Sequence, residues 1–414
     1  MRLFPWTGFR VPLRPALAAA ALTVAASAGA ADVQTPGAGP GAVSLGVEVG
    51  YDDNVFRMDH GPLRRQGSPV SSAAFRWDRI VGAGMTLRYG FEAVRFSADA
   101  ATENHVRHTS ALSGSGRRGG LAWEFSSQTI AVNGDDRSPV FGLSRSCFAI
   151  SPPRERRDQW QNRSAARCRQ NLGAAFVQGV ATFAGYDLRT SPQVVAGVDN
   201  YVDRADTAGG IEVGRVLSNG LSVAAGIRAG QQFQDRDGGR KSDRSNHYRR
   251  LLLSFDGPLA GRFRIVGAVG PARHTYAINS TGPARIDRWY ADLGLNVSLT
   301  ARDTLHVSTK RAQGVASTGN VSSQDLASTV QWRHRFSAVW AASVAAKVAG
   351  GIYDGAMRDD EQTVGAGTVT WRTKHGPEVN LTCGGEVSRD CSLRPDPARD
   401  YQRRHASLAT NWTF

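Results

Sequence analysis

Three His-x-Ser pairs are the strongest candidates for catalytic chemistry: His108-Thr109-Ser110, His306-Val307-Ser308 and His405-Ala406-Ser407. Side chains alternate along an extended chain, so each His shares a face with its Ser. An imidazole so placed could activate the hydroxyl as a nucleophile, given an Asn to orient it. Three matches in a Ser-rich chain are also what coincidence yields. Asp52-Asp53-Asn54 offers oxygen ligands of the kind Ca²⁺ takes, but the full EF-hand spacing is absent. A solvated loop mouth accounts for the cluster more simply. Cys147 with Cys168 and Cys383 with Cys391 form two local pairs, read as disulfides of an exported chain rather than as a metal site. The H-E-x-x-H, G-x-S-x-G and P-loop patterns are absent. The expectation is a non-enzyme with no metal and no cofactor.

These residues sit on a chain whose hydrophobic period is two. Val43, Leu45, Val47, Val49 and Tyr51 alternate with Ser44, Gly46, Glu48 and Gly50. Met85 to Ala93, Leu121 to Phe125, Leu221 to Ile227 and Trp289 to Leu299 repeat the pattern. Strict alternation is the mark of strands with one apolar face. If that face meets lipid, the other lines a lumen. Parity then places Arg76, Arg88, Arg228, Arg250, Arg262, Arg264, Arg288, Lys310, Arg333, Arg335 and Lys347 inside, against Glu48, Asp78, Glu92, Glu124 and Asp292. A basic excess beside a low-dielectric wall concentrates anions and disfavours cations. The bland alternative is that each Arg pairs with a carboxylate and has no role in transport.

The N-terminus explains the compartment. Arg2, Arg10 and Arg14 precede the apolar run Ala16 to Ala26, and Ala28-Gly29-Ala30 is a small-x-small site. This reads as a secretory signal peptide over 1–30; the rival, an uncleaved anchor, is short of the roughly 20 apolar residues a helical span needs. Residues 31–42 read as a Pro/Gly/Ala-rich periplasmic lead, and 43–414 as one barrel. The formal charge of +14 drops to +11 on cleavage, since the signal holds three arginines and no carboxylate. For an exported chain nucleic acid is not the expected anion. Lipopolysaccharide phosphates, small anionic solutes and acidic polysaccharide are. The chain is also too short for a plug domain ahead of its barrel.

Short turns near Arg117-Gly120, Ser218-Gly220, Asp256-Gly261, Thr300-Asp303 and Lys374-Pro377 alternate with longer polar loops near 53–68, 134–168, 235–244, 278–284, 316–324, 354–361 and 388–400. Short turns on one side and long loops on the other predict an all-β transmembrane up-and-down antiparallel barrel, with about eighteen strands and sixteen as the alternative. A soluble sandwich would explain the alternation. It would not explain strands near the roughly 9–11 residues a tilted membrane strand needs. Nor would it place aromatics at strand ends, as at Tyr51, Trp77, Trp289, Trp340, Trp371 and Trp412. Alternation is poor over 169–204. The loop 134–168 carries Arg145, Arg154, Arg156, Arg157, Arg163 and Arg167. It is read as a basic constriction folded into the channel or, equally, as a surface loop bound to lipopolysaccharide.

Two segments carry a resemblance. Tyr51-Asp52-Asp53-Asn54-Val55-Phe56-Arg57 resembles the opening motif of the β-barrel porins of the second type and of the related exopolysaccharide-operon outer-membrane barrels. The closing strand, Tyr401 to Phe414, with Trp412 and a terminal Phe414, resembles the signal by which outer-membrane barrels engage their assembly machinery. The resemblance implies residence in the outer membrane of a Gram-negative-type cell, and a passive or export-associated channel tied to surface polysaccharide. A non-conducting accessory barrel of a polysaccharide assembly is the alternative. Outer-membrane phospholipases use a His-x-Ser pair with an Asn, so a hydrolase is the third reading.

Overall fold

The computed structural model describes residues 41–54, 66–82, 84–98, 104–133, 158–189, 204–234, 244–276, 283–315, 322–354, 359–374, 376–391 and 400–414. They form eighteen strands. The first six are β1 (Gly41–Asp52), β2 (Ser68–Gly82), β3 (Met85–Phe96), β4 (His105–Arg118), β5 (Leu121–Asn133) and β6 (Asp158–Leu172). Next come β7 (Ala175–Arg189), β8 (Arg204–Val216), β9 (Ser222–Gln234), β10 (Asn246–Ala260), β11 (Phe263–Tyr276) and β12 (Arg285–Ser298). The last are β13 (Asp303–Val315), β14 (Ser322–Arg335), β15 (Trp340–Asp354), β16 (Asp359–Arg372), β17 (Glu378–Asp390) and β18 (Tyr401–Thr413). The signal segment and most of the predicted lead lie outside the described residues. β1 starts at Gly41 and so takes in the last two residues assigned to the lead.

Every strand pairs antiparallel with its sequence neighbours, and β1 pairs with β18 from Ser44↔Thr413 to Asp52↔His405, which closes the sheet. Closure is what lipid demands, because an open edge there would leave backbone N–H and C=O groups unsatisfied. Turns such as Arg118–Leu121 and Val216–Ser222 lie at one end, with Gly119 (φ 59°) and Gly220 (φ 84°) in the left-handed region that reverses the chain tightly. The paired ends of β1 and β18 lie at this end too, which is periplasmic by the barrel rule of short periplasmic turns. The longer connections lie at the other, extracellular end.

Alternation fixes the faces. Leu45, Val47, Val49 and Tyr51 are exposed on the outer face of β1, while Asp52 on the inner face is fully buried. The register carries this parity around the wall. Leu251, Leu253, Ile211, Val213, Val330, Leu381 and Leu408 continue the outer apolar band. Trp340 and Trp371 stack on it at the periplasmic side, 6.2 Å between centroids. Trp289 stands toward the extracellular side, 59% exposed. Apolar side chains of this size left in contact with the surroundings mean a lipid-facing wall.

Two stretches depart from the sequence reading. Residues 158–168 are strand, the first part of β6, and not loop. Both faces of β6 are polar, so a period of two shows no contrast there. Outside, Asn162 donates to Thr129 Oγ1 (2.9 Å) and Ser164 to Ser127 Oγ (2.9 Å), so these hydroxyls and amides satisfy one another against lipid. In β7 the aromatics split between faces: Phe176 points inward and is buried, while Phe183 points outward. That split is why alternation over 169–204 is poor. The Asp256–Gly261 turn is also shorter than expected, since β10 runs on to Ala260.

The Cys383–Cys391 disulfide is not formed. Cys383 lies within β17, facing outward opposite Ala406, and Cys391 follows the strand's last residue. Eight residues of extended chain hold the two some 26 Å apart at about 3.3 Å per residue, whereas a disulfide needs Cα atoms within about 7 Å. Cys147 lies outside the described residues; Cys168 is exposed on the outer face of β6, opposite Trp123.

Candidate functional site: the lumen

Parity sorts the basic residues as expected for Arg76, Arg88, Arg228, Arg250, Arg264, Arg288, Lys310, Arg333 and Lys347, all on the inner face. Arg262 does not belong with them. It precedes β11 in a periplasmic turn and donates to the Leu299 carbonyl. Arg335 lies at the periplasmic end of β14, where it donates to the Ala301 carbonyl at 3.2 Å. The inner face also holds arginines the sequence reading missed: Arg107, Arg117, Arg163, Arg167, Arg169, Arg204 and Arg403. It holds about as many missed carboxylates: Asp52, Asp206, Glu212, Asp256, Asp325, Glu378 and Glu386. The two sets offset each other, so a basic balance survives.

Much of this charge is tied down. Asp78 takes both Arg76 (2.8 Å) and Arg88 (3.0 Å). Arg107 meets Glu92 at 3.4 Å. Arg228 donates through Nε to the fully buried Glu212 at 2.9 Å, and Gln178 donates to the same carboxylate at 2.6 Å. Arg167 bridges Glu124 (3.1 Å) on the neighbouring β5 and Asp256 (3.4 Å) on β10, four strands away, and so reaches across the interior. Arg264 shares Asp256 at 2.9 Å. Lys347 is buried. These groups bind the wall together and present less charge to a solute than their number suggests.

One arc of the lumen is filled. Arg250 lies between the rings of Tyr248 (4.1 Å) and Tyr290 (4.3 Å), and Tyr248 stacks on His274 (5.1 Å). Tyr248 donates to Asp206 (2.7 Å), Gln232 donates to the same carboxylate (2.9 Å), and Asn246 donates to Gln232 (2.9 Å). Arg244 covers Tyr276 at 3.9 Å and donates to Ser322 at 3.0 Å. Leu252, Ala268, Ala272 and Tyr290 form an apolar cluster under Ala312 of β13. The cause is local: β12 and β13 pair only from Ala291↔Arg311 to Ser298↔Thr304. Above that point β13 leans inward and touches β9, where Gln232 donates to the Gln313 carbonyl at 3.3 Å. Among the described residues β13 is the element that leans into the lumen; Arg145, Arg154, Arg156 and Arg157, read as a constriction or equally as a surface loop, lie outside them.

A basic track on β12–β14 is open to solvent. Arg288 toward the extracellular side, Lys310 at mid-wall and Arg333 toward the periplasmic side follow one another along it; Arg288 and Arg333 are exposed. Lys310 is 3.9 Å from Asp292.

The extracellular end of the β1–β18 seam holds the Tyr51–Arg57 motif, of which Val55, Phe56 and Arg57 lie outside the described residues. Asp52 is not a solvated loop residue. It is fully buried and receives Arg403 Nε at 2.8 Å and Nη2 as well. Arg403 also meets Glu386 (3.7 Å), which accepts from Tyr401 and Gln362. Asn54 donates its side chain to the Gln402 carbonyl (2.6 Å), and Asp53 accepts the Arg404 N–H (2.5 Å). The acidic motif is a clasp from the first strand to the last. Tyr51 stays on the outer face. On β18, Trp412 and Phe414 continue the outward parity, and Phe414 is 74% exposed.

The His-x-Ser pairs part company. His108 is on the outer face and bonds Tyr89 at 2.8 Å. His306 faces the lumen with Asn296 on its Nδ1 at 2.7 Å, and Ser308 is buried two residues on. His405 and Ser407 line a small lumen cavity with Glu48, Ser72 and Glu92. Among the described residues no cluster of His, Cys, Asp and Glu has the arrangement of a metal site.

No family model matches the chain, and no curated protein matches it. Among solved structures it is similar to the outer membrane protein OpdK of Pseudomonas aeruginosa, with TM-score 0.44 and 10% identity over 90% of this chain and 99% of that one. It is also similar to the siderophore receptor PirA of the same organism, with TM-score 0.42 and 8% identity over 91% of this chain and 80% of that one. With its closed sheet, its alternating faces and its exposed apolar band, the chain is an eighteen-stranded integral β-barrel of the outer-membrane kind.

Proposed function

We propose that the protein is an outer-membrane channel that favours anionic solutes, with surface polysaccharide as a candidate cargo class. The observation that carries the reading is the solvent-facing track of Arg288, Lys310 and Arg333 along β12–β14. Barrels of 16–18 strands enclose a water-filled channel. Cationic groups on a low-dielectric wall raise the local anion concentration and lower that of cations. The paired arginines elsewhere shape the channel instead.

Planar-bilayer recording of the refolded chain under a KCl gradient tests this. A stable conductance that reverses on the chloride side is expected, and Arg288→Gln with Arg333→Gln should move the reversal toward zero. Arg228→Gln should change stability more than selectivity. A correctly folded barrel with no conductance would overturn the reading. It would leave the second one, a non-conducting accessory barrel of a polysaccharide assembly, which the filled β8–β13 arc favours. Reaction with a lipid substrate is not expected, since His306 and Ser308 face the lumen and not the lipid.

A further inference from the structure

The outer face of β10–β12 breaks the pattern of the wall. Arg249 and Arg273 are directly opposed across β10 and β11, both outward and exposed. Arg285 joins them from β12. Asp287 accepts from Arg273 (2.8 Å) and Arg285 (2.7 Å), so the patch holds three arginines and one carboxylate, with Arg249 beside Arg273. Like charges set opposite each other in a sheet destabilise it unless something offsets them. The cluster lies toward the extracellular ends of its strands, with the exposed Leu251, Leu253 and Trp289 farther into the wall. That is the level of the outer-leaflet headgroups. A second observation falls at the same place. Among the described residues, 285–290 of β12 keep their β11 partners but pair with none on β13, so one strand edge there is open beside the cluster. Backbone N–H and C=O groups at such an edge take a polar partner, which at this level is water or a headgroup.

We propose that this face binds the phosphate groups of an outer-leaflet phosphoglycolipid. Guanidinium forks bind phosphate with two parallel hydrogen bonds, and Asp287 orients two of the three. A phosphate at this level would relieve the Arg249–Arg273 repulsion and place polar oxygens at the open edge of β12. The lipid chains would lie along Leu251 and Leu253.

Native mass spectrometry of the full refolded chain, titrated with bisphosphorylated lipid A, tests the proposal without reference to conductance. Binding is expected, and should fall more than tenfold in the Arg249→Gln, Arg273→Gln, Arg285→Gln triple variant. Arg95→Gln, an outward arginine on β3, should bind as the unchanged chain does. Arg249→Gln alone should weaken binding and leave the fold intact, because Arg249 makes no hydrogen bond to any of the described residues; it guards against a triple variant that fails to fold. Equal binding of dephosphorylated lipid A, or unchanged binding by folded variants, would overturn the proposal. Inorganic phosphate binding as tightly as the lipid would overturn the lipid assignment.

Discussion

The clasp of Asp52 and Arg403 shows what a single pair can decide. Both side chains are about 1% exposed, and removing either partner strands a charge in a dry setting. Asp52→Ala should therefore cost about 3–5 kcal/mol, the range for breaking a buried pair. The check is the urea midpoint at which the folded, fast-migrating form is lost on unheated gels. Combining Asp52→Ala with Arg403→Met should cost less than the sum of the two, because the two changes remove one shared pair and Glu386 keeps its Tyr401 and Gln362 donors. The pair was only half legible in sequence. Parity puts Asp52 inside, but nothing in the chain links residue 52 to residue 403 until the barrel closes. The cysteines make the opposite point: local spacing suggested a bridge that an extended strand forbids. Under non-reducing conditions Cys383 should react with a membrane-soluble maleimide, as an outward thiol in the wall would; a mass lower by two hydrogens and no adduct on the 378–391 segment would contradict this.

Elements with one apolar face were plain in the sequence; those without were not. β1, β3, β5, β9 and β12 alternate cleanly because one face meets lipid and the other water. β6 escaped notice because Asn162 and Ser164 face lipid, satisfied by Ser127 and Thr129 on β5. Only the partner strand makes those outward polar groups tolerable. The inward lean of β13 is likewise a matter of packing, since its own residues alternate normally. Tyr290 holds this region together by covering both Arg250 and the cluster beneath Ala312. Tyr290→Ala should destabilise the barrel by about 3–5 kcal/mol, as large-to-small changes at buried aromatics do, with Tyr290→Phe far milder. Thermal unfolding followed by loss of β-sheet circular dichroism would measure both.

Across the whole molecule, selectivity is a property of arrangement and not of net charge. The chain is basic at +14, yet Arg76, Arg88, Arg107, Arg167, Arg228, Arg264 and Arg403 all sit on carboxylates. The proposed transport track on β12–β14 is the part whose arginines Arg288 and Arg333 are exposed. Its field should be screened as ionic strength rises. The Debye length shrinks from about 10 Å at 0.1 M to about 3 Å at 1 M. The chloride preference should therefore decline steadily between those KCl concentrations. A preference that held constant would point to direct solute contacts at the β13 constriction.

The chain by itself determined the class of the protein: alternation, strand length and the alternation of short and long connections require a closed barrel in lipid. It also determined which way most side chains face, because a period of two leaves only two choices. Tertiary structure alone decided which charges cancel, since ion pairs such as Arg167–Asp256 and Arg403–Asp52 join strands that are remote in sequence. It decided as well that β13, and no loop among the described residues, narrows the lumen. Both outcomes depend on which strands meet across the barrel, and that is set by closure and register rather than by any local pattern.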